Sequence, residues 1–194
     1  MVKSFLLILA SIVLTACGTT NVGLKYAAPP TVAKAAAAAP PVMVGTFTDQ
    51  RGEPPTWLGA IRGGFGNPLK NLESDRPVAE IVNPAFADGL RARGVAIDPA
   101  NARHRLVGTV KKLDCNQVVR REANVEIELR VVDSAGQTKF TKTYTGTRLD
   151  GSLATLSAGV FASVDDLRVT LETTLREVVD QALDDRALRA ALQI

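Results

Sequence analysis

Histidine is almost missing from this chain of 194 residues: His104 stands alone, and cysteine occurs only at Cys17 and Cys115. A zinc site draws on clusters of such ligands, and a Ser-His-Asp relay needs a histidine oriented by an acid, whereas His104 lies between Arg103 and Arg105. Neither chemistry is expected here, and no metal or cofactor with it. Charge of one sign is also lacking. Lys and Arg exceed Asp and Glu by only 23 to 20, which gives no electrostatic footprint for nucleic acid. The glycines Gly63, Gly64 and Gly66 are not followed by the Lys-Ser/Thr of a phosphate-binding loop. No internal repeat occurs, and no catalytic motif follows Cys17, so the expectation is a protein that is not an enzyme.

What is present begins at the N-terminus. Lys3 supplies a positive charge, an apolar run extends from Phe5 to Leu14, and small residues follow, the layout of a secretory signal peptide. The 13 residues from Ser4 to Ala16 reach roughly 20 Å as a helix, short of the ~30 Å apolar core of a bilayer, which argues against a retained span. Leu14-Thr15-Ala16-Cys17-Gly18 resembles the lipobox of bacterial lipoproteins. The resemblance implies cleavage between Ala16 and Cys17, acylation of Cys17, palmitate among the chains, and stable anchoring by more than the two chains that it requires. Gly18, where an Asp would retain the protein at the inner membrane, implies the outer membrane with the domain facing the periplasm. A plain cleaved signal peptide would instead leave Cys17 an ordinary thiol. With Cys17 consumed, Cys115 has no intramolecular partner in an oxidising compartment. It is either buried and inert or exposed and able to cross-link two copies.

Composition divides the rest. Residues 1–16 read as the signal peptide, and residues 17–41 as a lipidated Ala/Pro-rich tether, with Ala27-Ala28-Pro29-Pro30, Ala35 to Ala39 and Pro40-Pro41, able to hold a domain clear of the membrane. Residues 42–194 read as a single periplasmic α+β domain. Its expected sheet is mainly antiparallel, a three-stranded meander plus an N-terminal strand and a short strand, with two principal helices packed on one face.

The elements follow from periodicity. Val42 to Thr48 is the first strand, ending at the Asp49-Gln50-Arg51-Gly52 turn. Glu53 to Asn71 is a long loop. Ser74-Asp75-Arg76-Pro77 opens a helix with a Ser or Asp cap, ended by Gly94; Pro84 either kinks it or lets Asn83 cap a second segment. Val95 to Ile97 is a short strand. The meander comprises Arg105 to Leu113, Ala123 to Asp133 and Thr138 to Arg148. In its middle strand Ala123, Val125, Ile127, Leu129 and Val131 alternate with Asn124, Glu126, Glu128 and Arg130, so one face is buried and the other wet. Placing Phe140 and Tyr144 on the buried face sets Val131 opposite Phe140, Ile127 opposite Tyr144 and Glu128 opposite Thr143. After the small residues Ser152 to Ala162, Ser163 caps a helix with an apolar stripe from Val164 to Ala182, and Asp184-Asp185 caps a last one through Leu192.

Candidate sites are few. Trp57, Ile61 and Phe65 give the long loop an apolar character that needs covering, by the sheet or by a partner such as another envelope protein or a second copy. Arg103, Arg105, Lys111, Lys112, Arg120 and Arg121 could form a basic patch for phosphate-bearing lipid or glycan. Glu126 and Glu128 lie about 7 Å apart on one strand face, a spacing that would suit a cell-wall hydrolase but that alternation alone produces. A third reading is a carrier or chaperone for an apolar envelope component, held between sheet and helices.

Taken together, the lipobox, Val44-Gly45-Thr46-Phe47-Thr48-Asp49-Gln50-Arg51, the helix end Arg91-Ala92-Arg93-Gly94-Val95, the meander and the long C-terminal helix resemble the YajG family of outer-membrane lipoproteins. The resemblance spans nearly the whole chain. It implies a small α+β domain, and no activity that can be carried onto particular residues.

Overall fold

The alternating stretch that begins at Arg121 runs through the middle of the meander in the computed structural model, which describes residues 18–151 and 163–194. Among the described residues there are seven strands: β1 (Gly18–Val22), β2 (Val42–Asp49), β3 (Trp57–Arg62), β4 (Pro68–Ser74), β5 (His104–Gln117), β6 (Arg121–Asp133) and β7 (Thr138–Asp150). Three helices accompany them, α1 (Val78–Ala92), α2 (Val164–Asp184) and α3 (Arg186–Leu192). The stretch from Ser152 to Ala162 lies outside the described residues.

The α+β class holds, but the sheet is mixed rather than mainly antiparallel. Its order is β1-β4-β3-β5-β6-β7, with β2 also paired to β5. The β3–β4, β5–β6 and β6–β7 pairs are antiparallel, whereas β1–β4, β2–β5 and β3–β5 are parallel. Hairpins announce themselves through local turns; parallel partners are far apart in sequence and leave no such mark. At 14 residues β5 is long enough to share one edge. β2 lies along it from His104 to Val110, and β3 reaches it at Gln117.

Register in the meander follows from the burial of one face. Val131 sits opposite Phe140, Ile127 opposite Tyr144 and Glu128 opposite Thr143, as the alternation requires. Ala123, Val125, Ile127, Leu129 and Val131 are buried, while of the residues between them Asn124, Glu126 and Glu128 are half-buried and Arg130 is exposed. α2 covers that buried face, beginning at Ser163, whose hydroxyl accepts from the Asp165 N–H. Asp185 likewise caps α3 by accepting from Ala187 N–H at 2.7 Å. α1 packs on β2 and against α2, so both principal helices share one core with the sheet. There Phe47 stacks on Phe86 with ring centroids 5.3 Å apart. Gly108 makes room for this, since a Cβ on it would come within 2.2 Å of the Phe47 ring.

Four local expectations are corrected. The loop from Glu53 to Asn71 contains β3 and β4, because Leu58, Ala60, Ile61 and Leu72 supply a buried face that the glycines and prolines mask in sequence. α1 runs through Pro84 without a break, and Asn83 does not cap a second segment: its side-chain amide donates to the Gly45 carbonyl instead. Pro77 holds the N-cap position with no side-chain bond, and Ser74 turns its hydroxyl to the Arg76 and Thr56 carbonyls. The Val95 to Ile97 strand reduces to one bridge between Ile97 and Val42.

The Ala/Pro-rich segment is laid along the domain. Gly18–Val22 pairs with β4, Leu24 is buried, Ala35 N–H bonds to the Arg93 carbonyl at 2.8 Å, and Arg189 donates to the Lys34 carbonyl at 2.8 Å. Composition gave too little weight to Leu24 and Tyr26, which find partners only on elements distant in sequence.

Candidate interaction surfaces

The lipobox residues Ala16 and Cys17 lie outside the described residues. Their neighbour Gly18 is placed, entering β1 opposite Lys70 of β4. Gly18, the residue after Cys17, thus belongs to an edge strand.

Trp57, Ile61 and Phe65 do not form one apolar cluster. Ile61 is a core residue, buried against β5. Trp57 is half-buried where β2 and β3 part company along β5. Phe65 sits in the β3–β4 turn and is 103% exposed, as bare as a side chain can be. The turn itself is closed by Gly63 N–H donating to the Asn67 carbonyl at 2.8 Å.

The fork between β2 and β3 is filled by a residue that sequence reasoning passed over. Arg51 lies between the two strands, its side chain 3% exposed, donating to the Trp57 carbonyl at 2.7 Å, the Leu113 carbonyl at 3.0 Å and the Asp49 carboxylate at 2.9 Å. Its guanidinium satisfies carbonyls that the diverging strands leave unpaired. Gly59 makes the approach of β3 to β5 possible: its φ is +140°, and a Cβ there would lie 1.9 Å from the Cys115 carbonyl oxygen. Beside the fork is a concavity of about 330 Å³ lined by Arg51, Trp57, Arg62, Lys111 and Asp114, among others. Burial raises the Asp114 carboxyl above its usual range, against hydrogen bonds from Asn116 and Asn124 that lower it. Cys115 is fully buried next to it, its thiol pushed up to about 12 by burial first and then by the charge of Asp114. A thiol so placed is inert.

The six basic residues are spread along β5 and its flanking turns and do not gather. Arg105 and the strand's last residue Gln117 are 12 positions apart, roughly 40 Å along extended chain at ~3.3 Å per residue, and Arg120 lies in the turn beyond. Arg103 and Arg105 line a small hollow with His104 and Asp133 at one end of the sheet. Lys111 and Lys112 are turned to Glu128 and Glu126 on β6, at 2.6 and 4.0 Å. Arg121 pairs with Asp166 at 2.6 Å, leaving Arg120 exposed in the β5–β6 turn. The glutamates are thereby engaged across the strand. No group of His, Cys, Asp and Glu among the described residues is arranged to hold a metal ion. The space between sheet and helices is occupied by Ile127, Leu129, Leu171 and Leu175, none more than 1% exposed.

A second charged cluster, also missed in sequence, lies under the end of α1. Arg93 is 0% exposed, with Asp184 at 2.8 Å, Asp180 at 3.1 Å and the Gly89 carbonyl at 3.1 Å. The Tyr26 hydroxyl donates to the same Asp180 at 2.7 Å. Burial opposes the Arg93 charge, and its bonds to Tyr26, Asp184 and Asp180 outweigh it, so its pKa is raised; burial and the bond to Asp180 push Tyr26 up to about 12. The cluster ties the N-terminal segment to both helices. A sequence scan could have flagged only the i,i+4 acids Asp180 and Asp184.

A family model described as uncharacterized lipoprotein matches residues 30–193. The chain belongs to that family. The YajG-like resemblance agrees with it. Among curated proteins none matches the chain. Of solved structures, protein XCC0632 from Xanthomonas campestris is similar at a TM-score of 0.64 and 11% identity, over 90% of this chain and 98% of that one. An uncharacterized protein is similar at 0.53 and 10% identity, over 84% and 95% of the two chains. These likenesses concern the fold alone. PelC from Paraburkholderia phytofirmans, a dodecamer, is 19% identical over 84% of this lipoprotein and 93% of that chain, at a TM-score of 0.47 that carries no argument about assembly. No helix among the described residues of the lipoprotein is long and apolar enough to cross a membrane.

Proposed function

We propose that this lipoprotein is anchored through acyl chains on Cys17 to the outer membrane and that its domain works in the periplasm as a non-catalytic binding or accessory module. The observation that carries this reading is the lipobox at Leu14 to Gly18 on a chain whose residues 30–193 match a family of lipoproteins. A transmembrane helix is not needed, since acyl chains supply the anchoring energy. The pairing of Glu126 and Glu128 with lysines, and the isolation of His104 from any orienting acid bond, favour binding over turnover.

Mass spectrometry of the mature protein is expected to find a chain that starts at residue 17 and carries acyl groups. An unmodified Cys17 or a retained Met1 ends the anchor. Density-gradient separation of envelope membranes is expected to place the protein with the outer membrane; recovery with the inner membrane overturns that part. Incubation with purified cell wall is expected to release nothing. Release by the wild type but not by Glu126→Gln would establish the hydrolase instead.

A further inference from the structure

Every exposed large hydrophobic residue among the described residues lies at one end of the sheet: Phe65, Leu69, Val118, Val119, Leu149 and Val169. The pairing fixes this. The β3–β4 turn projects from that end, with Arg62 opposite Pro68, and Ile61 opposite Gln117 sets the β5–β6 turn beside it. Arg121 opposite Asp150 brings in the end of β7, and the Arg121–Asp166 ion pair at 2.6 Å brings in the first turns of α2. β1 enters the sheet at the same end, with Gly18 opposite Lys70. Apolar side chains gathered in this way ask for a cover.

We infer that this end of the domain lies against the membrane that holds the Cys17 acyl chains, with the two turns that carry Phe65 and Val118-Val119 entering the headgroup region. The inference deepens the anchor proposed above and rests on it. Its second support is the missing slack. Consecutive Cα atoms are about 3.8 Å apart, so the acylated residue is one bond step from Gly18, which is already fixed in the sheet by pairing with β4. A domain joined in this way cannot stand clear of the lipid, and whatever end carries Gly18 must meet it. Its third support is composition. Within residues 63–67 and 118–120 the only ionised side chain is Arg120, and it is exposed. Aromatic and aliphatic tips with a cation beside them suit the boundary between phosphates and acyl chains. The acids nearby are engaged within the protein: Asp166 by Arg121, and Glu122 by the Asn124 amide at 3.2 Å.

The test uses the full acylated protein in vesicles of phosphatidylethanolamine and phosphatidylglycerol doped with a lipid brominated in its acyl chain. Phe65→Trp places a reporter in the lipid-proximal turn, and Ala135→Trp places one in the exposed β6–β7 turn at the opposite end, each read as the difference from the wild type, whose only tryptophan is Trp57. Quenching of the reporter at 65 together with a blue shift, and none at 135, is the expected result. Equal quenching at both sites, in protein that carries its acyl chains and floats with the vesicles, overturns the inference and leaves the anchor standing. A blue shift at 65 without quenching, reversed on dilution into excess lipid, overturns it in favour of a second copy. Protein with an unmodified Cys17 that fails to float removes the anchor and the inference together.

Discussion

At the end of the sheet remote from Gly18, charged side chains are locked together; at the end that holds Gly18, apolar side chains stand in the open. The remote end is closed by Arg93 between Asp180 and Asp184, and by Asp185 bonded to Lys142 at 2.6 Å and to the Tyr144 hydroxyl at 2.9 Å. Charges of this kind are tolerated because each finds its partner within the chain. The other end has Phe65 fully exposed and Val118, Val119 and Leu149 half-exposed around one hollow. The contrast teaches that a fold can satisfy polar groups internally while leaving apolar ones for an outside surface, and that the second end is where to look for what the protein touches.

The sharpest way to break the contrast is at Arg93. Arg93→Met leaves Asp180 and Asp184 facing each other without the cation, and the expected loss is about 2–3 kcal/mol in urea unfolding, below the ~3–5 kcal/mol of a fully buried pair deprived of one partner because both carboxylates keep some water. A loss under about 1 kcal/mol would put the cluster among ordinary surface pairs. Next in size is Trp57→Ala. Because Trp57 is half-buried, the loss should be roughly half of the ~3–5 kcal/mol of a fully buried large aromatic, read by thermal unfolding beside affinity purification. Unchanged stability with a lost partner would move Trp57 from the fold to an interface.

Asp185 sharpens the comparison through pH. Its bond to Lys142 lowers its pKa most, against burial, and with help from Ala187 N–H and the Tyr144 hydroxyl it falls to about 2 from an ordinary 3.8. A folded value below the unfolded one means that the stabilisation is complete above about pH 4 and is lost as the pH falls towards 2. Asp185→Asn keeps a good cap while removing the charge. The variant should show a flatter decline in melting temperature over that window than the wild type, and parallel declines would remove Asp185 from the remote clamp. The smallest effect is expected at Phe65. Phe65→Ser should leave stability within about 0.5 kcal/mol of wild type, and a larger loss would show that the turn packs on the domain after all.

The meander was legible because alternation from Ala123 to Val131 demands one register and the Asp133 to Gly136 turn supplies the hairpin; α2 was legible because Ser163 caps a stripe of period near 3.6. β3 and β4 were not, since Gly59, Gly63 and Pro68 read as loop when taken singly, and only their pairing with β5 and with each other makes a strand of Leu58 to Ile61. The interaction surfaces divided in the same way. Trp57, Ile61 and Phe65 were singled out together as apolar residues in need of cover, and the fold separates them: Ile61 pairs with Gln117 in the core, Trp57 sits at the fork and Phe65 stands fully exposed. The basic residues looked adjacent because five of them flank or lie within one strand; extended chain pulled them apart.

The sequence by itself determined the local elements: an apolar N-terminal run ending in the lipobox-like Leu14 to Gly18, an alternating strand and an amphipathic helix, all of which are written in short-range order. The tertiary structure alone decided that the Ala/Pro-rich segment lies along the domain, that the sheet is mixed, that Arg51 and Arg93 are buried among carbonyls and carboxylates, and that six exposed apolar side chains lie at the end of the sheet where β1 begins. Each of those is a meeting of residues distant along the chain, such as Tyr26 with Asp180, and periodicity within a window carries no information about which distant residues will share a space.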